Sequence, residues 1–141
     1  SMNAVRNVSV LFVVGITALG LSVSALGAGD VEMGKKEYDA KCAVCHGPAG
    51  KGDGPFVNQL QAGSSDLTVL SQNNHGEFPT AMVLMSLDGR SQVQAHGPRE
   101  MPIWGEVYLS EGPSGKTVKE REPFVNERLR ALIAYVETLQ Q

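Results

Sequence analysis

Two thiols and an imidazole stand together in Cys42-Ala43-Val44-Cys45-His46. C-x-x-C-H is the pattern of c-type haem attachment. Thiols three positions apart can reach the two vinyl groups of a porphyrin and close thioether bonds. The imidazole that follows directly can turn beneath the iron as its proximal ligand. Other chemistry is open to the same residues. A C-x-x-C pair can be a thiol–disulfide redox site, but that site belongs at a helix N-terminus beside a β-α-β pattern. It can supply half of a zinc site with His75 or His96, but zinc sites usually take two closely spaced ligand pairs and only one exists. It can also close a simple structural disulfide. The pentapeptide, the export signal and the helical pattern described below agree on haem.

An iron held by His46 either takes a sixth ligand or keeps an open position. The candidates are Met33, Met82, Met85, Met101, His75 and His96. Met33 belongs to a first helix. Met82 and Met85 stand at i, i+3 in an apolar helix, where core packing is the expected role. Met101 differs, because the segment Gly97-Pro98-Arg99-Glu100-Met101-Pro102-Ile103-Trp104-Gly105 gives it no apolar stripe to join. Pro102 stiffens the chain just after it, and the segment is far enough from His46 to fold over the opposite haem face. The pattern favours Met101.

The elements that must position these groups are bounded by composition. A chain of 141 residues allows one domain. A net charge of −3 argues against a nucleic-acid binder. With 42% hydrophobic and 19% charged residues it is neither a disordered tail nor a multi-span membrane protein. Two cysteines exclude a disulfide framework and a zinc site made of four cysteines. Ser1 ahead of Met2 reads as an expression scar. Residues 2–28 read as a secretory signal peptide, with the apolar run Val8–Leu21 followed by small residues. An uncleaved membrane anchor is the alternative. The folded domain is then 29–141, and export places it in the periplasm. Only Arg6 is charged in the leader, so its removal takes the net charge to −4. The remaining chain is rich in Gly and Pro and builds a thin core.

Periodicity predicts helices over 30–41, 66–71, 79–87 and 125–139. Asp30 is a suitable N-cap for the first, with Val31, Gly34 or Lys35, and Tyr38 on one face. Pro79 and Gly89 bound the third. The last carries the stripe Val125, Leu129, Leu132, Ile133, Val136, Leu139. Residues 42–54, 91–104 and most of 105–123 read as loop. Strand alternation is absent, so the chain is expected to be all-α.

These residues make the chain similar to class I c-type cytochromes, the small monohaem electron carriers. The resemblance rests on Cys42-Ala43-Val44-Cys45-His46-Gly47, on Met101-Pro102 with Trp104-Gly105, and on the order of helix, haem motif, loops, Met and helix. It covers essentially residues 30–140. It implies about three core helices, with short helices and long loops wrapped around one haem c bound through Cys42 and Cys45. It also implies His46 and Met101 as the iron's axial ligands. The function implied is single-electron transfer between periplasmic or membrane redox enzymes, by a monomer that is not itself an enzyme. Donor and acceptor proteins would be its partners, and the membrane would enter only through them or an uncleaved leader. An electron-transfer subunit stably bound to a dehydrogenase or oxidase, or a haem protein with an open distal site, are the alternatives. Gly34, Tyr38 and Tyr135, with Leu132 or Ile133, resemble the family's contact between first and last helices. Gly54-Pro55 resembles the pair whose Pro carbonyl accepts the proximal His Nδ1–H. Arg90 and Trp104 resemble partners of the haem propionates. Residues 105–124 depart from the family as a long charged loop, either a recognition insert or a cover for a haem edge. Lys35, Lys36, Lys41 and Lys51 are expected to make a basic face that steers a partner.

Overall fold

The computed structural model describes residues 28–90 and 100–141. Residues 1–27, which hold almost all of the expected leader, lie outside the described residues, and so does His96. The described residues form helices α1 Ala28–Lys41, α2 Ala43–His46, α3 Leu70–Asn73, α4 Thr80–Asp88, α5 Trp104–Glu111 and α6 Val118–Thr138. Short 3₁₀ turns occupy Val57–Gln59 and Leu67–Val69, and no strand occurs among the described residues.

The surface of α1 is built from charge. Glu32–Lys36, Lys35–Asp39 and Glu37–Lys41 pair at i,i+4. Exposed pairs of this kind contribute only about 0.2–0.5 kcal/mol each. Docking therefore stabilises α1 more than its own surface does. Its buried stripe is Gly34, Tyr38 and Cys42, one residue per turn, ending in the first thiol of the motif.

That stripe lies on α6. A Cβ at Gly34 would stand 1.9 Å from the Ala131 carbonyl oxygen, so only glycine permits this backbone approach. One turn further on, the Tyr38 and Tyr135 rings meet with centroids 5.1 Å apart. Val125, Leu129, Leu132, Ile133, Tyr135 and Val136 of α6 complete the core with Val83 and Leu87 of α4 and Trp104 and Tyr108 of α5.

The structure corrects the reading of 105–124 as a long loop, because it contains α5 and the first turns of α6. Pro123 reads as a breaker in sequence, but it lies inside α6, and Gly105 sits in the first turn of α5. At Gly105 the Asp88 carboxylate occupies the space a Cβ would take, with Oδ1 1.9 Å from that position. In α6 a Thr117–Glu120 capping box starts the helix six residues ahead of Pro123, well upstream of the expected start at 125. Arg121 Nη1 donates to the Leu109 carbonyl at 3.1 Å, satisfying an orphan acceptor at the end of α5. The helix expected over 66–71 becomes a 3₁₀ turn capped by Asp66, followed by α3. α4 ends as expected on Gly89, at φ +65°.

Candidate functional site

The attachment turn is held by its flanking chain. α2 is a single turn, and its carbonyls have no helical partners beyond it. The glycine-rich segment 47–56 folds back and supplies donors. Gly52 N–H donates to the His46 carbonyl at 2.8 Å, Gly54 N–H to Cys45 at 3.0 Å, and Phe56 N–H to Val44 at 2.9 Å. A Cβ on Gly54 would stand 2.5 Å from the Val44 carbonyl oxygen, which explains glycine there. Tyr38 Oη donates to the Gly47 carbonyl at 2.7 Å, tying α1 to the same turn.

Cys42 is buried and Cys45 half-buried, and no disulfide joins them. Burial pushes the Cys42 thiol up to about 12, and the nearby Glu37 carboxylate adds to this. A thiol–disulfide centre needs the opposite, a depressed pKa on its attacking sulfur. His75 is exposed in the turn after α3 and takes no part in a cluster with the two cysteines.

His46 Nδ1 lies 3.0 Å from the Ser65 carbonyl oxygen and 3.0 Å from Ser64 Oγ. A carbonyl only accepts, so Nδ1 carries the proton and Nε2 presents its lone pair. This corrects the expectation for Pro55. Gly54 is buried against the motif, Pro55 is exposed, and the acceptor at Nδ1 is Ser65. Sequence reasoning missed Ser64 and Ser65, because a Gly-Ser-Ser turn carries no signal of what it will face.

His46 lines a cleft. A cavity of about 280 Å³ has Cys42, His46 and Met101 in its lining. Its walls are Tyr38, Leu67, Leu70, Val83, Leu87, Leu132 and Val136 from α1, the turn before α3, α3, α4 and α6. A second cavity of about 140 Å³ adjoins it at the mouth, sharing His46, Ser65 and Met101 and adding Cys45, Lys41 and Glu100. Protein interiors hold few voids larger than a water molecule. An apolar cleft with Cys42, His46 and Met101 in its lining, and Cys45 in the adjoining one, offers the thiol, imidazole and thioether groups that a haem would take.

The other expected residues fall as follows. Met82 also lines the larger cavity, but it is 54% exposed and Met85 is 56% exposed, so neither is the core residue expected from its spacing. Met33 is half-buried on α1 and lines neither cavity. Arg90, the expected propionate partner, lines neither cavity. Its guanidinium is committed to Asp88 at 2.5 Å and Glu122 at 2.7 Å. Trp104 is buried at the start of α5, packed on Tyr108. The expected basic face is also neutralised. Lys35, Lys36 and Lys41 are each paired with a carboxylate, and residues 30–54 carry five acids against four lysines.

Searches of curated proteins and of solved structures found no match for the chain. The family model described as Cytochrome c matches residues 31–140.

Proposed function

The chain belongs to the cytochrome c family and binds haem c covalently through Cys42 and Cys45, and from this premise we propose that it is an exported one-electron shuttle with His46 and Met101 as the iron's axial ligands. The observation that carries the proposal is the placement of His46 and Met101 on the same two cavities.

The bound group supplies a ferric–ferrous couple, one electron per cycle. The chain's residues fix the conditions under which that couple works. The Ser65 carbonyl and the Ser64 hydroxyl hold the His46 ring through Nδ1, which leaves Nε2 as the nitrogen for the iron. Met101 brings a soft thioether donor, which favours the ferrous state relative to a second imidazole. The apolar walls exclude water, which disfavours the more highly charged ferric state in the same sense. With both axial positions held by protein no site remains for a substrate, which fits a carrier rather than an enzyme.

The shuttle works as a monomer in the periplasm between donor and acceptor proteins, after cleavage of residues 2–28. The leader's apolar run and small-residue cleavage site support this. No described helix is long and apolar enough to cross a membrane.

Carbon monoxide binding to the reduced holoprotein tests the ligation. Wild type should bind it weakly and show the weak far-red Met–iron band when oxidised. Met101→Ala should lose that band and bind carbon monoxide readily. Equal binding by both proteins would remove Met101 as a ligand. An open position in wild type would then move the search to gas binding or catalysis.

A further inference from the structure

The residue before Met101 reaches across the mouth of the cleft. Glu100 Oε1 accepts from the Gln61 backbone N–H at 2.5 Å, and Oε2 accepts from the Ala62 N–H at 3.0 Å. Two consecutive amides thus share one carboxylate, one oxygen each. Charge-assisted bonds of this kind are stronger than neutral ones. Gly63 follows at φ +72° and turns the chain. The next two residues are Ser64 and Ser65, the partners of His46 Nδ1. Five consecutive residues therefore form a strap, held by Glu100 at one end and holding His46 at the other. All but Gln61 and Ala62 of this arrangement line the smaller cavity, together with Met101 and Pro102.

We propose that Glu100 is a positioning residue that couples the two sides of the haem cleft, a reading that rests on His46 and Met101 being the axial ligands. Its carboxylate anchors the Met101 segment to the strap that orients the proximal imidazole. Its two bonds run to the strap's amides and not to His46. Glu100 acts by limiting how far the Met101 segment can move away from the half of the site that His46 occupies. Pro102 adds to this by restricting the backbone on the other side of Met101. Loss of the anchor leaves both elements folded and weakens the hold on the thioether.

The test uses the oxidised holoprotein and imidazole, which binds the iron when Met101 leaves it. Glu100→Gln keeps the side chain's shape and one acceptor oxygen, but puts an amide donor against a backbone donor. Glu100→Ala removes both acceptors. The affinity for imidazole should rise in the order wild type, Glu100→Gln, Glu100→Ala, by up to about tenfold, the scale of one charge-assisted bond at an exposed site. The far-red Met–iron band should weaken in the same order and the reduction potential should fall. The unfolding midpoint read by far-ultraviolet circular dichroism should move little. Imidazole affinities of both variants within twofold of wild type, with the band intact, would overturn the proposal. A different result defeats the ligation reading itself: no far-red band in wild type, and an imidazole affinity equal to that of Met101→Ala. In that case Glu100 has no ligand to position and the proposal falls with it.

Discussion

One phenol joins the first helix to the haem-attachment turn. Tyr38 is fully buried and its hydroxyl donates to the carbonyl of Gly47, also buried. Burial raises the phenol's pKa above its ordinary range, so the bond persists at alkaline pH. Tyr38→Phe keeps the ring against Tyr135 and leaves the Gly47 carbonyl without this donor. The expected loss is about 1–2 kcal/mol of stability, measured by urea unfolding. A variant as stable as wild type would show that the hydroxyl contributes nothing. The sequence makes Tyr38 legible as a packing residue, because a helix face and a distant aromatic suffice for that. Its hydroxyl's role is not legible, since the acceptor exists only where the chain turns at Gly47 with φ +78°. The same distinction separates His46 from Ser65. The imidazole is written in a local motif, and the group that holds it comes from a loop 19 residues away.

The crossing of α1 and α6 is the contact on which the fold depends. Gly34→Ala places a methyl group 1.9 Å from the Ala131 carbonyl oxygen and 2.9 Å from Tyr135 Cβ. Backbone cannot yield as a flexible side chain can, so the helices must separate. We expect a loss of about 1–3 kcal/mol, the range found for overpacked cores. Intrinsic helix propensity acts in the opposite direction by roughly 1 kcal/mol. Thermal unfolding of the holoprotein decides the sign, and a stabilised variant would mean that the helices can part without cost. Helices with a continuous apolar stripe, such as the later part of α6, could be read from spacing alone. α5 could not. It is short, it has a glycine in its first turn, and its neighbours supply what its sequence lacks, with Asp88 packed at Gly105 and Arg121 bonded to its last turn. The Thr117–Glu120 capping box lies between Pro113 and Pro123, whose residue types favour a loop over a helix start. Charge density misled in a similar way. Lysines near the motif suggested a basic face, and the carboxylates one turn along α1 cancel it.

At the scale of the molecule, Glu37 is the point where three helices meet. It lies 3.1 Å from Lys41, accepts from Tyr108 Oη of α5 at 3.0 Å, and pairs with Arg128 of α6 at 2.5 Å. Lys41 in turn reaches Glu111 of α5 at 2.6 Å. Burial, the largest single influence, would raise the pKa of Glu37, but Lys41, Tyr108 and Arg128 together hold it below the ordinary value. A carboxylate depressed in the folded state stabilises the fold above its unfolded pKa, about 4.3 for Glu. That contribution is lost as pH falls through the folded value. Unfolding free energies measured from pH 7 to pH 3 should therefore decline in wild type below about pH 5. Glu37→Gln should be less stable at pH 7 and should decline less steeply, and parallel curves would remove Glu37 from the acid response. The meeting of α1 and α6 also has a consequence in time. Gly34 and Ala131 are separated by most of the folded chain, so their crossing cannot exist until synthesis has passed Ala131. Until then Leu132 and Val136, which share the larger cavity with Cys42, are not there to wall it. While the chain is being made, Cys42 has no wall from α6 beside it, and the last of the described helices to be synthesised is the one that closes the cleft.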